Sequence, residues 1–464
     1  MPPLGPPIVD QSREPVKLVS SGDETASGPV KRMQVNDWLR RLDELLGATA
    51  DSDGEPSSLR NLTFGVFRLL ESGDIAVQDA FQALTETEIS ADAKLDGEAL
   101  SAAAYRPPST PTDVPAGVRV AACLLRGLEA ALTGLGSHAW GRPRASSFRA
   151  SFGNEQGWIL PYAPRFRLPF SAAQPYFRKR GLQHHRCLSE RLQDGMHIDL
   201  HIIDTGFDEP IAAACCLFSG VSLIGADGAP IAADGGPFEV HGLKGRGDDE
   251  VAEALAGACS ATDRPSLVLF PELTVRPEDR QEIQTLLRTA PWDPDLSGHR
   301  PRLVFAGSWH DVIAEGPEAG RRQNIAPIYD GNGVAIARHI KHEPYLGSGL
   351  REDIVVGDRI VVLASRSLTV AVAICLDFCQ EARPNTYEHV DADLVVVVSF
   401  GNQTTTEAHD RRSQMLWNGR KTGTVLVQQN DSSAFGVSGA LPDTKPFARE
   451  AATAVTVRKI SSAG

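Results

Sequence analysis

The stretch AVAICLDFC, residues 371–379, begins as a buried strand and ends in side chains that can do chemistry. Residues 371–374 are small and apolar, which is typical of a strand buried on both faces. Cys375 follows at once, and a charged Asp377 and a second thiol, Cys379, come close behind it. Buried strands usually end in turn residues such as Gly, Asn or Pro. A strand that ends in a thiol therefore indicates that the thiol is presented to something.

Short apolar runs like this one recur through the second half of the chain and alternate with helical stretches. The other runs are SLVLF (266–270), RLVFAG (302–307), IVVL (360–363), DLVVVVSF (393–400) and TVLVQQN (424–430). Nearly continuous apolar strands between helices predict a layered α/β fold with buried sheets. We place the start of this α/β domain near Met196, so that it covers residues 196–464.

The first half of the chain has a different texture. Residues 1–33 are rich in Pro, Ser and Gly and are expected to be disordered. Residues 34–195 are expected to form a mainly α-helical domain and a linker. Helical spacing of apolar residues predicts four helices, which begin near Val35, begin near Ser57, span 74–86 and span 118–132. Polar loops are expected between them.

Composition limits the class of protein. The 464 residues are 42% hydrophobic and 23% charged, with a net charge of −13, which argues against nonspecific binding of nucleic acid or anionic membrane. Seven cysteines without a repeating spacing argue against a disulfide framework. The N-terminus lacks a signal-peptide pattern, and no apolar run reaches the roughly 18 residues of a membrane helix. We therefore expect a cytoplasmic protein.

Three polar residues share one face of a predicted strand. His197, Asp199 and His201 alternate in MHIDLH and, with His184 and His185 nearby, offer potential metal ligands. An exposed polar strand face is the favoured interpretation, so no metal is expected.

Two further segments are candidate binding motifs. GLKGRG (242–247) lacks the spacing and the strand-to-helix context of a dinucleotide loop, so no cofactor is expected. Bases and aromatics interleave between Arg165 and Arg180, as in grooves that bind single-stranded nucleic acid. The acidic total favours a solvated segment between domains instead.

Two more strand ends resemble the one at Cys375. SLVLF runs into Pro271 and Glu272, which places a carboxylate at the mouth of a buried strand. The run IYDGNGVAIARHIK (328–341) predicts a hairpin, because its central Asp-Gly-Asn-Gly accepts positive φ, and its second strand ends at Lys341. An acid, an amine and a thiol thus occupy three strand ends.

Such a set suits nucleophilic catalysis. A thiol is mostly protonated at neutral pH, so Glu272 would serve as the base that activates Cys375. Attack on a carbonyl or nitrile carbon builds negative charge, which the ammonium of Lys341 and the backbone N–H of Leu376 would stabilise. Water activated by the same glutamate would then hydrolyse the thioester.

These motifs resemble the nitrilase superfamily of carbon–nitrogen hydrolases. FPEL after a buried strand, a hairpin leading to a lysine, and a strand ending in ICLD carry the likeness, which covers roughly residues 196–461. The resemblance implies a nitrilase-like αββα sandwich and a Glu–Lys–Cys triad of Glu272, Lys341 and Cys375. It also implies a supporting second glutamate, for which Glu352 is the better match and Glu343 the next.

The sequence departs from the family pattern in two ways. Leu376 stands where the family often has an aromatic residue, and Cys379 adds a second thiol. With the helical N-terminal extension, these differences indicate a divergent branch. Three segments, MHIDLHIID, IAAACCLFSG and PFEVHGL, are candidates for the first strand of the domain. Neither the SGGxDS nucleotide loop of NAD synthetases nor a polymerase YxDD motif is present.

Two classes of function remain. The first is an amidase-type hydrolase of a small amide or nitrile, with nitrilase and N-acyltransferase activities as variants. The second is a nitrilase-fold interaction or effector subunit, whose N-terminal half docks a partner protein or a nucleic-acid complex. A homo-oligomer is compatible with both.

Overall fold

The computed structural model describes most of the chain from Met33 onward. The described residues are 33–134, 144–161, 181–192, 194–204, 207, 211–231, 236–260, 265–289, 300–347, 349–379, 386–420, 422–429, 434–438, 447–449 and 455–460. The expected disorder of residues 1–33 falls almost wholly outside them. From Arg32 to Gly464 the chain forms one compact unit, and the domain boundary near residue 195 stays a prediction.

Helices fill the first part of the described chain, and the apolar spacing predicts all of them except α4. They are α1 (Val35–Ala50), α2 (Pro56–Ser72), α3 (Ile75–Ala83), α4 (Glu86–Ser101) and α5 (Val114–Gly134). Trp38 is fully buried among leucines of α1, α2 and α5, and its indole N–H donates to the carbonyl of Leu69 at 2.8 Å. The Asp74 side chain accepts the N–H groups of Ala76 and Val77 and so caps α3.

The helix α4 corrects the expectation of a polar loop, and α3 ends at Ala83 rather than at residue 86. A capping box begins α4: the Thr85 side chain accepts the backbone N–H of Glu88, and the Glu88 side chain accepts the backbone N–H of Thr85. Its buried face is narrow and relies on small residues: a Cβ added to Gly97 would lie 2.9 Å from the Ala130 side chain of α5. Close packing of small residues leaves little apolar periodicity for sequence analysis to detect.

A three-stranded antiparallel sheet follows the helices, so the region before residue 195 is not purely helical. Its strands are β1 (Arg149–Phe152), β2 (Glu155–Pro161) and β3 (His185–Ser189), after a short 3₁₀ turn at Ala145–Phe148. Trp158, Leu160 and Leu188 of this sheet share a core with strands of the later α/β region. The sheet thus joins the helical half to the rest of the chain.

The α/β region contains the remaining elements. Its first strands are β4 (His197–Ile202), β5 (Ile211–Cys216), β6 (Ser222–Ile224), β7 (Gly236–Phe238), β8 (Gly242–Lys244), β9 (Leu267–Phe270), β10 (Leu303–Ala306), β11 (Trp309–Val312), β12 (Arg322–Asp330) and β13 (Ala335–Ile340). The later strands are β14 (Leu346–Gly347), β15 (Leu350–Glu352), β16 (Arg359–Ala364), β17 (Thr369–Ile374), β18 (Leu394–Phe400), β19 (Gly423–Gln429), β20 (Ala434–Ser438), β21 (Phe447–Arg449) and β22 (Val455–Ile460). The helices are α6 (Glu250–Cys259), α7 (Pro277–Thr289), α8 (Leu376–Cys379), α9 (Thr386–His389) and α10 (Gln403–Arg420). Every apolar run named above forms a strand, and the hairpin of β12 and β13 is confirmed.

Two seven-stranded sheets organise this region. One has the order β11-β12-β10-β9-β5-β22, with β13 paired to β12, and the other has the order β21-β20-β19-β18-β17-β16-β4. Strands β17, β18 and β19 are parallel neighbours, as are β5, β9 and β10. The three segments proposed for the first strand of the domain, MHIDLHIID, IAAACCLFSG and PFEVHGL, contribute to β4, β5 and β7, respectively. These three strands lie in three different sheets.

The two large sheets pack face to face around a shared apolar core. Leu269 and Phe305 of one sheet meet Val372 and Val396 of the other in this core. Helices α6 and α7 cover the outer face of the first sheet. Side chains from α8, α9 and α10, with the β1–β3 sheet, cover the outer face of the second. The layered α/β architecture is therefore confirmed.

None of the described helices combines the length and the apolar character that a membrane crossing requires.

Candidate active site

The three strand-end residues are all buried in the structure. Glu272 lies two residues beyond β9, Lys341 directly follows β13, and Cys375 directly follows β17. They are 1%, 1% and 2% exposed, respectively. Buried charged side chains are rare unless they are paired, so each requires a partner.

Lys341 lies between two carboxylates. Its Nζ donates to Glu272 Oε1 at 2.8 Å and to Glu352 Oε2 at 2.6 Å. The loop after Lys341 returns to the site, where the backbone N–H of Tyr345 donates to Glu352 Oε2 at 2.7 Å. Glu352, the better-matching second glutamate, is thus the one bonded to the lysine, whereas the backbone N–H of Glu343 donates to Asp377.

Two residues that the sequence analysis did not identify support the carboxylates. Asn324 Nδ2 donates at 3.0 Å to both Glu272 Oε1 and Glu352 Oε1. His310 Nδ1 accepts the backbone N–H of Val240 at 2.9 Å, so Nε2 carries the proton and donates to Glu352 Oε1 at 2.9 Å. Asn324 pairs with the lysine strand, since the Lys341 N–H donates to its carbonyl. The pairing of Asn324 with Lys341 across the hairpin is the one sequence signal that could have identified Asn324.

The pKa values of the three charged groups diverge. Burial raises the pKa of Glu272 above its usual range, although Lys341 opposes the rise. Burial alone would lower the pKa of Lys341, but Glu272 and Glu352 hold it well above its usual value. Burial would likewise raise the pKa of Glu352, but Lys341 and His310 hold it low. Lys341 and Glu352 therefore stay charged at neutral pH, and Glu272 is the group suited to accept a proton.

Cys375 is a neutral thiol at rest. Burial raises the pKa of Cys375 well above its usual value, Glu272 raises it further, and Lys341 opposes both. The thiol thus requires a base, and it responds to both charged groups of the predicted triad. Its backbone adopts a left-handed conformation, with φ of 48°, which non-glycine residues seldom adopt. Such strain concentrates at functional sites, and here it turns the chain from β17 into α8, where Leu376 is the first residue.

Asp377 explains why a charge follows the thiol so closely. Its Oδ1 accepts the N–H groups of His342 and Glu343 at 2.9 and 2.8 Å. Its Oδ2 accepts from Ile374 N–H at 3.0 Å and His339 Nε2 at 2.9 Å. Although burial opposes it, the two neighbouring histidines lower the pKa of Asp377. The carboxylate therefore ties the cysteine turn to the segment after Lys341, a role not predicted from the sequence.

The side chains of His339, His342 and Asp377 also form the one group of potential metal ligands among the described residues, with ligand atoms within 4.8 Å of one another. Both oxygens of Asp377 already accept two N–H groups each. Hydrogen bonding thus accounts for this cluster without an ion.

The sequence-predicted metal candidates lie elsewhere. His201 Nε2 is 3.0 Å from Asp199, and both are half-buried on β4 with His197. The backbone N–H groups of His184 and His185 donate to Glu129 of α5. No metal-ligand group combines these residues within the described parts of the chain, and the expected absence of a metal stays a prediction.

The other two segments add nothing to this site. GLKGRG overlaps β8, which pairs with β6 in a small two-stranded sheet. The basic and aromatic residues between Arg165 and Arg180 lie outside the described residues.

Comparisons with known proteins gave matches among solved structures. No family model matches the chain, and no curated protein matches it. An amidase from Nesterenkonia, solved with the acetamide moiety of fluoroacetamide added covalently at its active-site cysteine, is 14% identical; the match covers 56% of this chain and 94% of that one, with a TM-score of 0.36. Nit3 of Saccharomyces cerevisiae, a member of branch 10 of the nitrilase superfamily, is 15% identical over 56% and 93%, with a TM-score of 0.39. A carbon–nitrogen hydrolase from Helicobacter pylori is 12% identical over 54% and 89%, with a TM-score of 0.37. These three structures are an amidase, a member of the nitrilase superfamily and a carbon–nitrogen hydrolase, and this chain is similar to each of them.

Proposed function

We propose that this protein is an amidase-type carbon–nitrogen hydrolase that works through a thioester on Cys375. One observation carries the proposal: the buried ammonium of Lys341 donates to Glu272 at 2.8 Å and to Glu352 at 2.6 Å. The charges of Glu272 and Lys341 in turn act on the pKa of Cys375, which burial raises. A structural ion pair has no need of a second buried acid. A proton-transfer site does, because the surplus negative charge favours uptake of a proton.

The first half of the reaction forms the thioester. Glu272 takes the proton from the Cys375 thiol, and the sulfur attacks the carbonyl carbon of a small amide. Negative charge then develops on the carbonyl oxygen, where Lys341 and the N–H of Leu376 stabilise it. When the carbon–nitrogen bond breaks, Glu272 gives its proton to the departing nitrogen, and the amine or ammonia leaves.

The second half regenerates the enzyme. Glu272 takes a proton from water, the resulting hydroxide attacks the thioester carbon, and the carbon–sulfur bond breaks. Glu272 returns that proton to the sulfur of Cys375, and a carboxylic acid is released. Glu352 remains ionised throughout and holds Lys341 in place, as its lowered pKa and its bonds to His310 and Tyr345 support.

The proposal is tested by ammonia release from a panel of small primary amides, combined with intact-mass analysis of the protein. We expect a subset of the amides to release ammonia and to leave an acyl adduct that peptide mapping assigns to Cys375. Cys375→Ala should abolish both signals, whereas Cys379→Ala, which removes the neighbouring thiol, should retain both. Ammonia release at the wild-type rate by Cys375→Ala would overturn the proposal.

Several expectations from the sequence remain predictions. These are a cytoplasmic location, a homo-oligomer, and a protein partner bound through the N-terminal half. The alternative of an interaction or effector subunit would gain support if no amide, nitrile or acyl donor modified Cys375.

A further inference from the structure

The mechanism above leaves one fully buried histidine unused. His409 lies on α10 with no exposed surface, and its Nε2 is 3.2 Å from the Oγ of Ser399 on β18. Its other ring nitrogen, Nδ1, is buried and has no hydrogen-bond partner among the residues that the structure describes. A buried imidazole with a single polar contact has its orientation fixed by that contact.

Ser399 lies beside the thiol. In the parallel pairing of β17 and β18, Ile374 is opposite Val398, so Cys375 and Ser399 are the next residues along the chain from that pair. The N–H of Cys375 donates to the Val398 carbonyl at 2.8 Å, which extends the pairing up to the thiol. Ser399 is thus adjacent to Cys375 across the two strands, and although burial raises the pKa of the thiol, the Ser399 side chain acts to lower it.

We infer that His409 aligns the hydroxyl of Ser399 as a hydrogen-bond donor to the sulfur of Cys375 when the thiolate forms. This inference rests on the proposed function, because it concerns the same nucleophile. In this arrangement Ser399 acts on the reacting atom directly, whereas His409 acts through Ser399 and is a positioning residue.

The direction of the chain of hydrogen bonds follows from the unpartnered Nδ1. Burial lowers the pKa of His409 to about 3, so the ring is neutral and carries one proton. An orphaned buried N–H is rarer than an orphaned acceptor, which favours a bare Nδ1 and a proton on Nε2. The Nε2–H then donates to Ser399 Oγ, and the serine hydroxyl proton is directed to another acceptor.

Two acceptors compete for that hydroxyl proton. Gln428 Oε1 lies 3.5 Å from Ser399 Oγ, at the limit of a hydrogen bond, and the Gln428 amide is held by Gly401, Asn402 and Thr406. A thiolate is a charged acceptor and takes precedence over a distant neutral oxygen. The hydroxyl therefore turns toward sulfur as Cys375 loses its proton. This donor is on a different strand from Lys341 and adds to the ammonium's effect.

The test is the pH dependence of Cys375 alkylation by iodoacetamide in the full chain, followed by peptide mapping. The charged and titratable groups that act on Cys375 are Glu272, Lys341 and Cys379, and all three stay intact in these variants. Ser399→Ala should move the alkylation profile to higher pH by about one unit, as loss of one hydrogen bond to a charged group implies. His409→Phe should give a similar shift, and His409→Gln, which keeps an N–H donor, should restore part of it.

The controls separate a specific effect from damage to packing. Thr424→Val removes another buried hydroxyl from the adjacent strand β19 and should leave the profile unchanged. In a Ser399→Ala background, His409→Phe should add nothing if His409 acts only through Ser399. Additive shifts, or no shift in Ser399→Ala, would overturn the inference. If the inference is overturned but Glu272→Gln still changes the alkylation profile, the proposed function stands. If Cys375 of the wild type is never labelled, the proposed function itself fails.

Discussion

Two buried clusters of charge in this molecule differ in how the cation distributes its hydrogen bonds among carboxylates. In the first, the guanidinium of Arg186 on β3 donates two hydrogen bonds, of 3.1 and 2.8 Å, to the two carboxylate oxygens of Asp393. Neither side chain is exposed. In the second, Lys341 is shared by two carboxylates, Glu272 and Glu352. The Arg186 guanidinium thus makes both of its short bonds to one carboxylate, with the partly exposed Asp391 farther off at 3.7 Å from its Nε, whereas the Lys341 ammonium divides its short bonds between two fully buried acids.

The difference separates a structural role from a chemical one. Asp393 also accepts the N–H of Thr369 at 2.8 Å, so the Arg186 pair links the β1–β3 sheet to the start of β17, the strand that ends at Cys375. At the other end of β17, burial raises the pKa of Glu272, and the neighbouring Glu352 adds to the rise. The Arg186 pair thus fixes a junction between two sheets, whereas an ammonium shared by two buried acids prepares a site for proton transfer.

The largest effect is expected when Glu272 is replaced. Glu272→Gln keeps the size of the side chain and removes proton acceptance, so acylation of Cys375 should slow by about 10²–10⁴-fold. Rapid-mixing assays on an amide found in the panel would measure this rate. Acylation at the wild-type rate would exclude Glu272 as the base.

The same variant should not lose folding stability at neutral pH. Because the pKa of Glu272 is raised in the folded state, the wild type loses stability as pH rises from the unfolded value near 4.5 through the folded value. The side chain introduced by Glu272→Gln does not titrate, so the stability of this variant relative to the wild type should increase over that window. Urea unfolding of both proteins at several pH values measures the difference, and a destabilised variant at pH 7 would assign Glu272 a structural role.

Breaking the Arg186 cluster should have the reverse outcome. Arg186→Met removes the guanidinium that neutralises the buried Asp393 carboxylate, which should lower the free energy of unfolding by about 3–5 kcal/mol. The pH profile of Cys375 alkylation should stay unchanged, since no charge at the site is altered. Adding Asp393→Asn removes the uncompensated charge and should recover much of the loss. A shifted alkylation profile in folded Arg186→Met would connect the two clusters.

A smaller effect is expected at Asp377. Asp377→Asn replaces one accepting oxygen by a donor that faces Ile374 N–H and His339, so about 1.5–3 kcal/mol of stability should be lost at pH 7. The pKa of Asp377 is lowered on folding, so the wild-type advantage should be present above the unfolded value near 3.8 and disappear as pH falls through the folded value. Urea unfolding at decreasing pH measures this, and an advantage independent of pH would contradict it.

The smallest effect is expected far from the site, in the helical half. Asp74→Ala removes the side-chain cap of α3 and should lower the free energy of unfolding by about 1 kcal/mol. Chemical denaturation measures the loss, and Cys375 alkylation serves as the second readout. We expect an unchanged alkylation profile. A changed one would mean that the helical half influences the nucleophile, which would sharpen the question of what that half does.

Much of the α/β region could be predicted because its signals are local. An apolar run such as DLVVVVSF is a strand wherever it is buried on both faces, and β18 forms there. The missed elements lack such signals. The helix α4 packs through small residues such as Gly97, and the β1–β3 sheet consists of short strands that include polar residues such as His185 and Arg186.

The candidate site divides in the same way. Glu272, Lys341 and Cys375 were identifiable because each follows a recognisable strand, and Glu352 was identifiable through the family resemblance. Asn324, His310, Ser399 and His409 were not, because each matters through contacts with residues that are separated from it in the sequence. His310 and Glu352, for example, are 42 positions apart and meet at 2.9 Å.

The sequence by itself determined which side chains stand at the strand ends, because hydrophobic periodicity and turn chemistry act over a few neighbouring residues. Only the tertiary structure decided what those side chains do to one another. Burial in a medium of low polarity makes charge interactions strong, and their sign depends on which groups lie within a few ångströms. The raised pKa of Glu272 and the lowered pKa of Glu352 are opposite outcomes for the same residue type, and they follow from position alone.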